Sequence, residues 1–519
     1  MNVGHLLTRA ALRYPEHTAW LSDDKRVMFR EAEARTNALA NALLDLGLRH
    51  GDRVGMLLQN CPEGLETILA PMKAGLTAVP LNVRLHPSEH LYILNDSGCR
   101  ALVYGAMFDS HLNQVRGSLK STEVFIRVGD GATEDLSYEE LVAGGSPRVP
   151  GGEVQREDVA WVFYTSGTTG QPKGAMLSHR SLLNMASNFL MDINPAKPDD
   201  VLLHAAPITH GSGMCLFHHV ARGATNAFPW VQHFDPPGIF AAIERYRVTT
   251  MFLAPTMINL LVASPERTKY DLSSLHTIIY GGAPMYTPHI LEAIRAFGNI
   301  FVQIFAQGES PMTVTTLPKE EHIVGDDQDR LRRLGSAGRE VTGVRVSIFD
   351  DQDRELPAGE VGEIVVRGDL VMQGYWNKRE ATAETLRGGW LHTGDVGYLD
   401  ADGYLFITDR KKDMIITGGA NVYPREVEEV IAKHPAVAEV AVIGVPDELW
   451  GESIKALVVL RPSAKATAEE MINYCRDHLA SYKKPKSVEF LPAIPKNAYG
   501  KVLKRELREP YWVGRERRV

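Results

Sequence analysis

Residues 164–174 read YTSGTTGQPKG, a run that mixes hydroxyl side chains with glycines and includes a lysine. An apolar, strand-like run, VAWVF, precedes it at residues 159–163. A loop of this composition between a strand and a later helix exposes backbone N–H groups and hydroxyl donors, which can wrap around phosphate oxygens. It is not a Walker A loop, because no Gly-Lys-Ser/Thr triplet closes it. A plain polar turn would explain the glycines but not the hydroxyl cluster with its lysine.

Short β-rich runs alternate with helical periodicity through most of the chain, which predicts an α/β fold with layered, largely parallel sheets. A strand over residues 53–58 is followed by a helix over 63–74, and a strand over 249–254 by a helix over 257–262. Between residues 335 and 367 the pattern changes to strand and turn, which predicts a smaller β-rich subdomain.

The tail of the chain predicts a compact α+β unit of about a hundred residues, within the usual range for a domain. We therefore expect a large N-terminal domain over residues 1–409 and a small C-terminal domain over 410–519, joined at the charged DRKKD stretch. A helix over 424–433 is predicted to turn three glutamates outward and three apolar residues inward: Glu426, Glu428 and Glu429 against Val427, Val430 and Ile431. Strands over 437–445 and 455–460 and a helix over 468–479 complete the unit.

The composition is typical of a folded enzyme, with 44% hydrophobic and 23% charged residues among 519. These values exclude disordered, collagen-like and disulfide-scaffold proteins. The net charge of −8 at pH 7 disfavours a broad nucleic-acid-binding surface, although it leaves a local basic patch open. Cys61, Cys99, Cys215 and Cys475 lie far apart in sequence, which favours reduced thiols in a cytoplasmic protein over a disulfide framework or a zinc site.

Neither of two apolar segments predicts membrane insertion or export. The first 17 residues carry Arg9 and Arg13 within an apolar pattern, which indicates a short amphipathic helix and not a signal peptide. Residues 201–221 contain no Asp, Glu, Lys or Arg, but they include Pro207 and four histidines. A buried segment that lines a pocket is therefore favoured over a spanning helix.

Six motifs occur in a fixed order along the chain: YTSGTTGQPKGAMLSH from residue 164, GGAP at 281–284, FAQGES at 305–310, LHTGD at 391–395, DRKKDMIITGGANVYPREVE from 409, and PKNAYGK ending at 501. In these motifs the chain resembles the acyl- and aryl-CoA synthetases of the adenylate-forming (AMP-binding) superfamily, and the resemblance covers nearly the whole length. It implies an enzyme that binds ATP, Mg²⁺ and coenzyme A together with a small-molecule carboxylic acid.

The resemblance implies a nucleotide site built from five of these motifs. Asp395 would accept hydrogen bonds from the vicinal ribose hydroxyls, Arg410 would contact ribose or phosphate, and Phe305 would pack on adenine beside the GGAP backbone. The full set of implied ATP- and AMP-binding residues is Thr165, Ser166, Gly167, Thr168, Thr169, Gly170, Lys173, Gly281, Gly282, Ala283, Pro284, Phe305, Ala306, Gln307, Gly308, Asp395 and Arg410.

Glu309 is implied to be the Mg²⁺ ligand, with Thr165 beside it. A hard divalent cation prefers carboxylate and phosphate oxygens and usually keeps several waters, so one protein carboxylate suffices. Relatives usually carry Thr immediately before this Glu, whereas this chain has Gly308. Ser310, Thr165 or water would then replace the missing hydroxyl.

Lys501 is implied to be the adenylation lysine, which bridges the substrate carboxylate and the α-phosphate. Its fixed charge, together with Mg²⁺, would stabilise a transition state in which two anions meet. Relatives rotate the small domain between adenylate formation and thioester formation, and Lys412 matches their hinge. Hinges are element-terminal residues that absorb large dihedral changes. Gly418 and Gly419 resemble the lining of the tunnel for the thiol arm of coenzyme A.

His210 matches a family position beside the acid-binding pocket, which Gln303 and Ile304 also line, and it completes the implied catalytic set with Lys501 and Glu309. The region carries no acidic residue that would pair with an amino group, which favours a plain carboxylic acid. We expect a medium- or long-chain fatty acid. An aryl or alicyclic acid, and transfer to a carrier protein in place of coenzyme A, remain open, as does a homodimer.

Overall fold

The computed structural model describes residues 2–23, 25–131, 134–165, 171–229, 233–410, 413–418, 420–496 and 502–513, and of Arg410 the backbone alone. Its strands are, in chain order, β1 (Thr18–Ser22), β2 (Lys25–Met28), β3 (Arg53–Leu57), β4 (Thr77–Pro80), β5 (Cys99–Gly105), β6 (Val124–Val128), β7 (Leu136–Ser137), β8 (Val159–Thr165), β9 (Lys173–Ser178), β10 (Val201–Leu203), β11 (Thr225–Phe228), β12 (Thr250–Leu253), β13 (Thr277–Tyr280), β14 (Phe301–Gln307), β15 (Ser310–Leu317), β16 (Arg339–Glu340), β17 (Val344–Phe349), β18 (Gly362–Gly368), β19 (Leu391–Leu399), β20 (Leu405–Arg410), β21 (Ile415–Thr417), β22 (Ala420–Val422), β23 (Val437–Asp447), β24 (Gly451–Leu460) and β25 (Ser487–Phe490).

The α-helices over the same residues are α1 (His5–Arg13), α2 (Phe29–Asp45), α3 (Pro62–Lys73), α4 (Pro87–Ser97), α5 (Asp109–Asn113), α6 (Tyr138–Gly144), α7 (His179–Asn188), α8 (Gly211–Met214), α9 (Leu216–Arg222), α10 (Pro236–Tyr246), α11 (Pro255–Ala263), α12 (Thr287–Phe297), α13 (Gln328–Arg333), α14 (Arg379–Thr385), α15 (Pro424–Ala432), α16 (Ala468–His478) and α17 (Lys504–Trp512). The predicted alternation of strand and helix is confirmed. None of these helices combines the length and the apolar character that crossing a membrane requires.

The first large sheet orders its described strands β16-β15-β14-β13-β12-β10-β11-β1-β2. Its middle is parallel from β14 to β1, while β15, β16 and β2 pair antiparallel near the edges. In open α/β sheets ligands bind beyond the carboxyl ends of parallel strands. His210 and GGAP follow β10 and β13 in the chain, and FAQGES spans the end of β14 and the turn to β15. The topology therefore gathers three of the predicted site segments at one edge.

The second large sheet orders its described strands β7-β6-β5-β3-β4-β8-β9. It is parallel except for the last pair, because β8 and β9 form an antiparallel hairpin. The YTSGTTGQPKG loop connects these two strands, so β9 lies between the loop and α7. The loop therefore closes a hairpin and does not run directly into a helix.

Helix α4 has strong end signals and lies beside that hairpin. His86 and Glu89 form a reciprocal capping box at its start, where Pro87 is preset for the first helical position. Gly98 ends the helix in the left-handed conformation, with φ of 63°, which favours glycine. The helix is thus fixed at both ends and can serve as a rigid support.

Two smaller sheets follow in the chain. Strands β17-β18-β19-β20 form an antiparallel sheet, which confirms the predicted β-rich subdomain. The last sheet has the order β22-β21-β24-β23, with β25 parallel to β24, and it belongs to the predicted C-terminal α+β unit. A large N-terminal domain of sheets and a smaller C-terminal domain are therefore confirmed.

Apolar clusters explain why these layers pack together. One cluster contains Trp20 from the first sheet and Trp161 from the second, both inaccessible to solvent. A second cluster, which includes Phe240 and Phe301, packs helices against the first sheet. The C-terminal domain has its own core, which includes Ile431. Full burial of a large apolar side chain stabilises the fold by about 1.5–3 kcal/mol.

The predicted orientation of one glutamate on α15 is wrong. Val427, Val430 and Ile431 are buried as expected, but Glu428 is also buried, with 3% of its surface exposed. Its carboxylate accepts hydrogen bonds from Val442 N (2.8 Å) and from the hydroxyl of Tyr286 (3.1 Å), a residue of the N-terminal domain. Helical periodicity identified the face that packs on the C-terminal core, but α15 is covered on a second face as well.

Candidate active site

The two ends of the predicted phosphate loop are described, and helix α4 contacts both. Thr165 pairs with Lys173 at the top of the β8–β9 hairpin. Before the loop, the hydroxyl of Tyr164 donates to Asp96 Oδ2 (2.8 Å); after it, the hydroxyl of Tyr92 donates to the carbonyl oxygen of Pro172 (3.1 Å). Ser166, Gly167, Thr168, Thr169 and Gly170 lie outside the described residues.

Glu309 lies in the two-residue turn between β14 and β15. Its Oε1 accepts a hydrogen bond from the hydroxyl of Tyr375 (2.7 Å), and Thr165 Oγ1 lies 3.5 Å from the same atom. Burial and the Glu309 carboxylate raise the pKa of Tyr375, so the phenol keeps its proton and donates. The other carboxylate oxygen of Glu309, Oε2, has no hydrogen-bond partner among the described residues.

The sequence analysis did not identify Tyr375. Besides its bond to Glu309, it places its ring under Lys173, whose Nζ lies 5.0 Å from the ring centroid. A cation over an aromatic face is attracted by the ring quadrupole. One tyrosine therefore orients both a predicted metal ligand and a predicted phosphate ligand. The sequence offered no signal for it, because Tyr375 is 66 residues from Glu309.

Steric crowding explains why position 308 is a glycine. A Cβ atom on Gly308 would lie 2.5 Å from Thr165 Cγ2 and 2.6 Å from Phe163 Cδ1. These distances are far below ordinary carbon–carbon contacts of about 3.5–4.0 Å. Phe163 and Thr165 therefore occupy the space that a threonine side chain would need. The hydroxyl of Thr165 lies near Glu309, whereas Ser310 is fully buried, so Thr165 is the better placed of the two predicted substitutes.

Asp395 and the FAQGES hairpin meet directly. Asp395 lies on β19 with 7% of its surface exposed, and its Oδ2 accepts a hydrogen bond from Gln307 Nε2 (2.7 Å). The same amide group donates to the carbonyl oxygen of Thr393 (2.9 Å). In backbone register Asp395 is paired with Arg410 on β20. Three predicted nucleotide-binding residues from three motifs are thus brought together.

The GGAP segment begins where β13 ends and runs beside β14. Gly281 is required by close packing, because a Cβ there would lie 2.4 Å from the carbonyl oxygen of Ile304. Gly282 adopts φ of 80° with open space around it, while Ala283 is half-buried and Pro284 exposed. The next residues of β14, Phe305 and Ala306, are half-buried against the core. The segment thus offers an open backbone surface next to β14.

His210 lies near the phosphate-loop strand. Its ring centroid is 4.8 Å from that of Phe163. Burial lowers the pKa of His210 to about 3, so the imidazole is neutral at pH 7. The following Gly211 packs against Phe252, since a Cβ there would lie 2.7 Å from that ring. This part of the site is therefore aromatic and uncharged.

Gln303 and Ile304 differ in their surroundings. Gln303 Oε1 accepts a hydrogen bond from the hydroxyl of Tyr280 (3.3 Å), which also contacts His322 Nε2 (2.9 Å). Ile304 instead packs against Gly281. Because neighbouring strand residues point to opposite faces, the two side chains are on different sides of β14. Gln303 therefore serves an internal network, and Ile304 faces GGAP.

Of the residues predicted in the C-terminal domain, Gly418 is described. It has φ of 58°, and a Cβ there would lie 2.4 Å from the indole of Trp450. Its N–H donates to the carbonyl oxygen of Trp450 (2.9 Å). Gly419, Lys412 and Lys501 lie outside the described residues, as does the side chain of Arg410.

Comparison with known proteins gives matches along the chain. The sequence models of the AMP-binding enzyme and of the AMP-binding enzyme C-terminal domain match residues 7–376 and 426–501. A medium/long-chain-fatty-acid–CoA ligase, FadD8 of Mycobacterium tuberculosis, is 35% identical over 99% of this chain and 91% of its own. A feruloyl-CoA synthase of an Amycolatopsis species is 38% identical over 98% of this chain and 99% of its own. The solved structure of the anthranilate CoA ligase AuaEII in complex with anthranoyl-AMP superposes with a TM-score of 0.91 at 29% identity, covering 99% of this chain and 98% of that one.

The fold, the assembled motifs and these matches define an adenylate-forming enzyme. The chain belongs to the AMP-binding enzyme family, which confirms the resemblance found in the sequence. Within this family it is an AMP-forming acid–thiol ligase, whose substrates are ATP, a small-molecule acid and coenzyme A.

Proposed function

We propose that this ligase converts medium- or long-chain fatty acids into acyl-CoA. In the first half-reaction the carboxylate attacks the α-phosphorus of ATP, forming acyl-adenylate and releasing pyrophosphate. In the second, the thiolate of coenzyme A attacks the acyl carbonyl, the acyl–phosphate bond breaks, and AMP leaves. The mixed anhydride keeps the free energy of ATP, so no protein nucleophile is required and the cysteines have no role in the chemistry.

The observation that carries the proposal is the bond between Gln307 and Asp395. It joins the β14–β15 hairpin, whose turn contains Glu309, to strand β19. On that strand, we assign Asp395 as the ligand of the ribose hydroxyls. Ribose and phosphates of one nucleotide must be held together, and this bond fixes the distance between their proposed ligands. In this assignment the adenine ring is held by Phe305 and GGAP. The phosphates are held by Lys173 and residues 165–170.

Mg²⁺ is proposed to bind at Glu309, with Thr165 beside it. The Oε2 atom of Glu309 and the nearby hydroxyl of Thr165 are the hard oxygen donors that this ion prefers. When bound, Mg²⁺ would neutralise charge on the phosphate oxygens. The protein's own contribution is the hydrogen bond from Tyr375, which holds the carboxylate in one orientation before substrates arrive.

Lys501 is proposed to supply the remaining positive charge at the α-phosphate. A fixed ammonium favours the transition state in which two anions meet, more than it favours the separated substrates. His210 is proposed to line the acid pocket as a neutral imidazole. It can orient a carboxylate through an N–H group without adding charge.

We further propose that residues 1–409 and 410–519 move relative to each other between the two half-reactions, with Lys412 as the hinge. Rotation would withdraw Lys501 and present another face of the small domain. Gly418 and Gly419 would then line the path of the thiol arm.

The acid is proposed to have an apolar body. Residues 201–221 carry no charged side chain apart from histidines, and His210 is held neutral by burial. The rings of Phe163 and Phe252 lie next to His210 and Gly211. FadD8 is a fatty-acid ligase by name, which supports a fatty acid; the feruloyl-CoA synthase, of similar identity, supports an aryl acid as the second candidate.

A panel of acids differing in chain length and ring content tests the substrate. The purified enzyme receives ATP, Mg²⁺, coenzyme A and one acid at a time, and thioester and AMP are measured. The proposal predicts the highest kcat/KM for a saturated acid of medium or long chain. A preference for hydroxycinnamic or benzoic acids would favour the aryl candidate. AMP release with a carrier protein but not with coenzyme A would contradict the acyl-CoA product.

A further inference from the structure

The buried carboxylate of Glu428 joins the two domains. One oxygen, Oε1, accepts bonds from Val442 N (2.8 Å) and Lys504 Nζ (2.9 Å) within the C-terminal domain. The other, Oε2, accepts the hydroxyl of Tyr286 (3.1 Å), which belongs to the N-terminal domain. Breaking a buried, fully paired carboxylate network costs more than losing a surface contact. The hydrogen bonds of Glu428 therefore stabilise the contact between the two domains.

Tyr286 connects this carboxylate to the nucleotide side of the site. It follows GGAP by two residues and directly precedes α12. Its ring packs against the C-terminal core, and burial together with the charge of Glu428 raises the pKa of its hydroxyl, which therefore remains a donor. A displacement of the C-terminal domain away from this segment would break the bond.

The first turn of α12 depends on the other domain for its cap. No side chain of its own N-cap residue bonds there, and the turn contains no acidic residue. Instead, Glu429 Oε1 accepts the backbone N–H of Thr287 (3.0 Å) across the domain boundary. A carboxylate at a helix N-terminus satisfies a free N–H and interacts favourably with the helix dipole. An ion pair of Arg461 with Glu292 (2.8 Å) adds a further contact between this helix and the C-terminal domain.

Lys504 carries the connection toward the PKNAYGK turn. Its Nζ contacts Asp409 Oδ2 (3.2 Å) as well as Glu428. Burial opposes the charged form, but the two carboxylates prevail and raise the pKa of Lys504, so it is an ammonium at pH 7. Lys504 begins α17, just after Val502, which bridges antiparallel to Lys496 on the other side of the turn. The described residues on either side of 497–501, Lys496 and Val502, thus lie next to Lys504 and its contacts with Glu428 and Asp409.

We propose that Tyr286 is a positioning residue: through Glu428 and Lys504 it seats the C-terminal domain against the segment that follows GGAP, and we assign this arrangement of the domains to adenylate formation. The inference rests on the proposed function, in which Lys501 acts in the first half-reaction alone. Tyr286 touches no substrate in this role. In this assignment the contacts of Tyr286 break when the domains move, so the bond favours the first half-reaction over the second.

The test is Tyr286→Phe, which removes one hydroxyl and leaves Glu428 paired with Lys504 and Val442. A bond to a charged group corresponds to roughly one to two powers of ten in an equilibrium. We therefore expect adenylate formation to slow on the order of tenfold in kcat, with little change in the KM for ATP. Acyl-CoA formation from supplied acyl-adenylate should stay within about twofold of wild type.

Tyr138→Phe is the matched control. The hydroxyl of Tyr138 donates to buried Glu66 (2.7 Å), which is paired with Arg35 (2.9 Å), so the chemistry is the same but lies wholly in the N-terminal domain. The Tyr138→Phe variant should change the rates of the two half-reactions by the same factor. The second variant, Glu428→Gln, removes one of the two charges that hold Lys504. It should slow adenylate formation selectively, and by more than Tyr286→Phe does.

Each outcome decides the inference. Selective slowing of adenylate formation in Tyr286→Phe, absent from Tyr138→Phe, supports it. Equal losses in both half-reactions, or no loss in either, overturn it while the wild-type activity leaves the proposed function standing. A wild-type enzyme that forms no acyl-adenylate overturns the proposed function, and this inference with it.

Discussion

Gly308→Thr introduces the residue that the family resemblance leads one to expect, yet we predict that it impairs this enzyme. The new Cβ would lie 2.5 Å from Thr165 Cγ2 and 2.6 Å and 2.9 Å from two atoms of the Phe163 ring. Gly308 is not in the left-handed region, so the penalty comes from crowding alone. Overpacking of this kind costs about 1–3 kcal/mol. The smaller unfolded-state entropy of a non-glycine residue returns about 0.4–1 kcal/mol.

The expected net loss is therefore about 1–2 kcal/mol of folding stability, measured by denaturant unfolding. Because Thr165 and Glu309 must shift to make room, adenylate formation should also slow by roughly tenfold, since each 1.36 kcal/mol of transition-state stabilisation is a factor of ten. Gly151→Thr is the control, because a Cβ at Gly151 meets no atom within 4 Å. Adding Thr165→Ser, which removes the crowded methyl but keeps the hydroxyl, should recover part of both losses. A Gly308→Thr enzyme as stable and as fast as wild type would refute the steric argument.

Three further substitutions test individual roles. Lys501→Ala should slow adenylate formation by about 10²–10³ while sparing thioester formation from supplied acyl-adenylate, because it removes one transition-state donor; equal loss in both assays would contradict that role. Tyr375→Phe should lower kcat roughly tenfold and weaken the apparent affinity for Mg²⁺, because Glu309 loses the bond that orients it; an unchanged Mg²⁺ titration would count against it. Lys412→Pro should leave pyrophosphate release largely intact and reduce thioester output, and normal thioester output would exclude Lys412 as the hinge.

The fold could be predicted in outline because its signals are local. Hydrophobic periodicity alone separated strands such as β3 from helices such as α3, and the change of pattern after residue 335 indicated the β-rich subdomain. Parallel strands end at a common edge, which is why motifs far apart in sequence, such as GGAP and FAQGES, lie side by side. Family membership followed from motif order, since six motifs in one order are more specific than any one of them.

The parts that sequence did not predict depend on contacts between distant segments. Glu428 follows the helical pattern of an exposed residue, and only the packing of Tyr286 and Lys504 against α15 explains its burial. Tyr375 carries no mark in the sequence that links it to Glu309. The sequence shows that Gly308 lacks a hydroxyl. It does not show why, because the crowding side chains, Phe163 and Thr165, belong to the other large sheet.

The bond of ATP that the enzyme breaks distinguishes an AMP-forming ligase most directly. Purified enzyme should be mixed with ATP labelled at the α-phosphate, Mg²⁺, coenzyme A and a medium-chain fatty acid, and the labelled product identified. We predict labelled AMP and unlabelled pyrophosphate in equal amounts, one of each per acyl-CoA formed, and neither without the acid. Labelled ADP, or no acid-dependent product across a broad panel of acids, would contradict it.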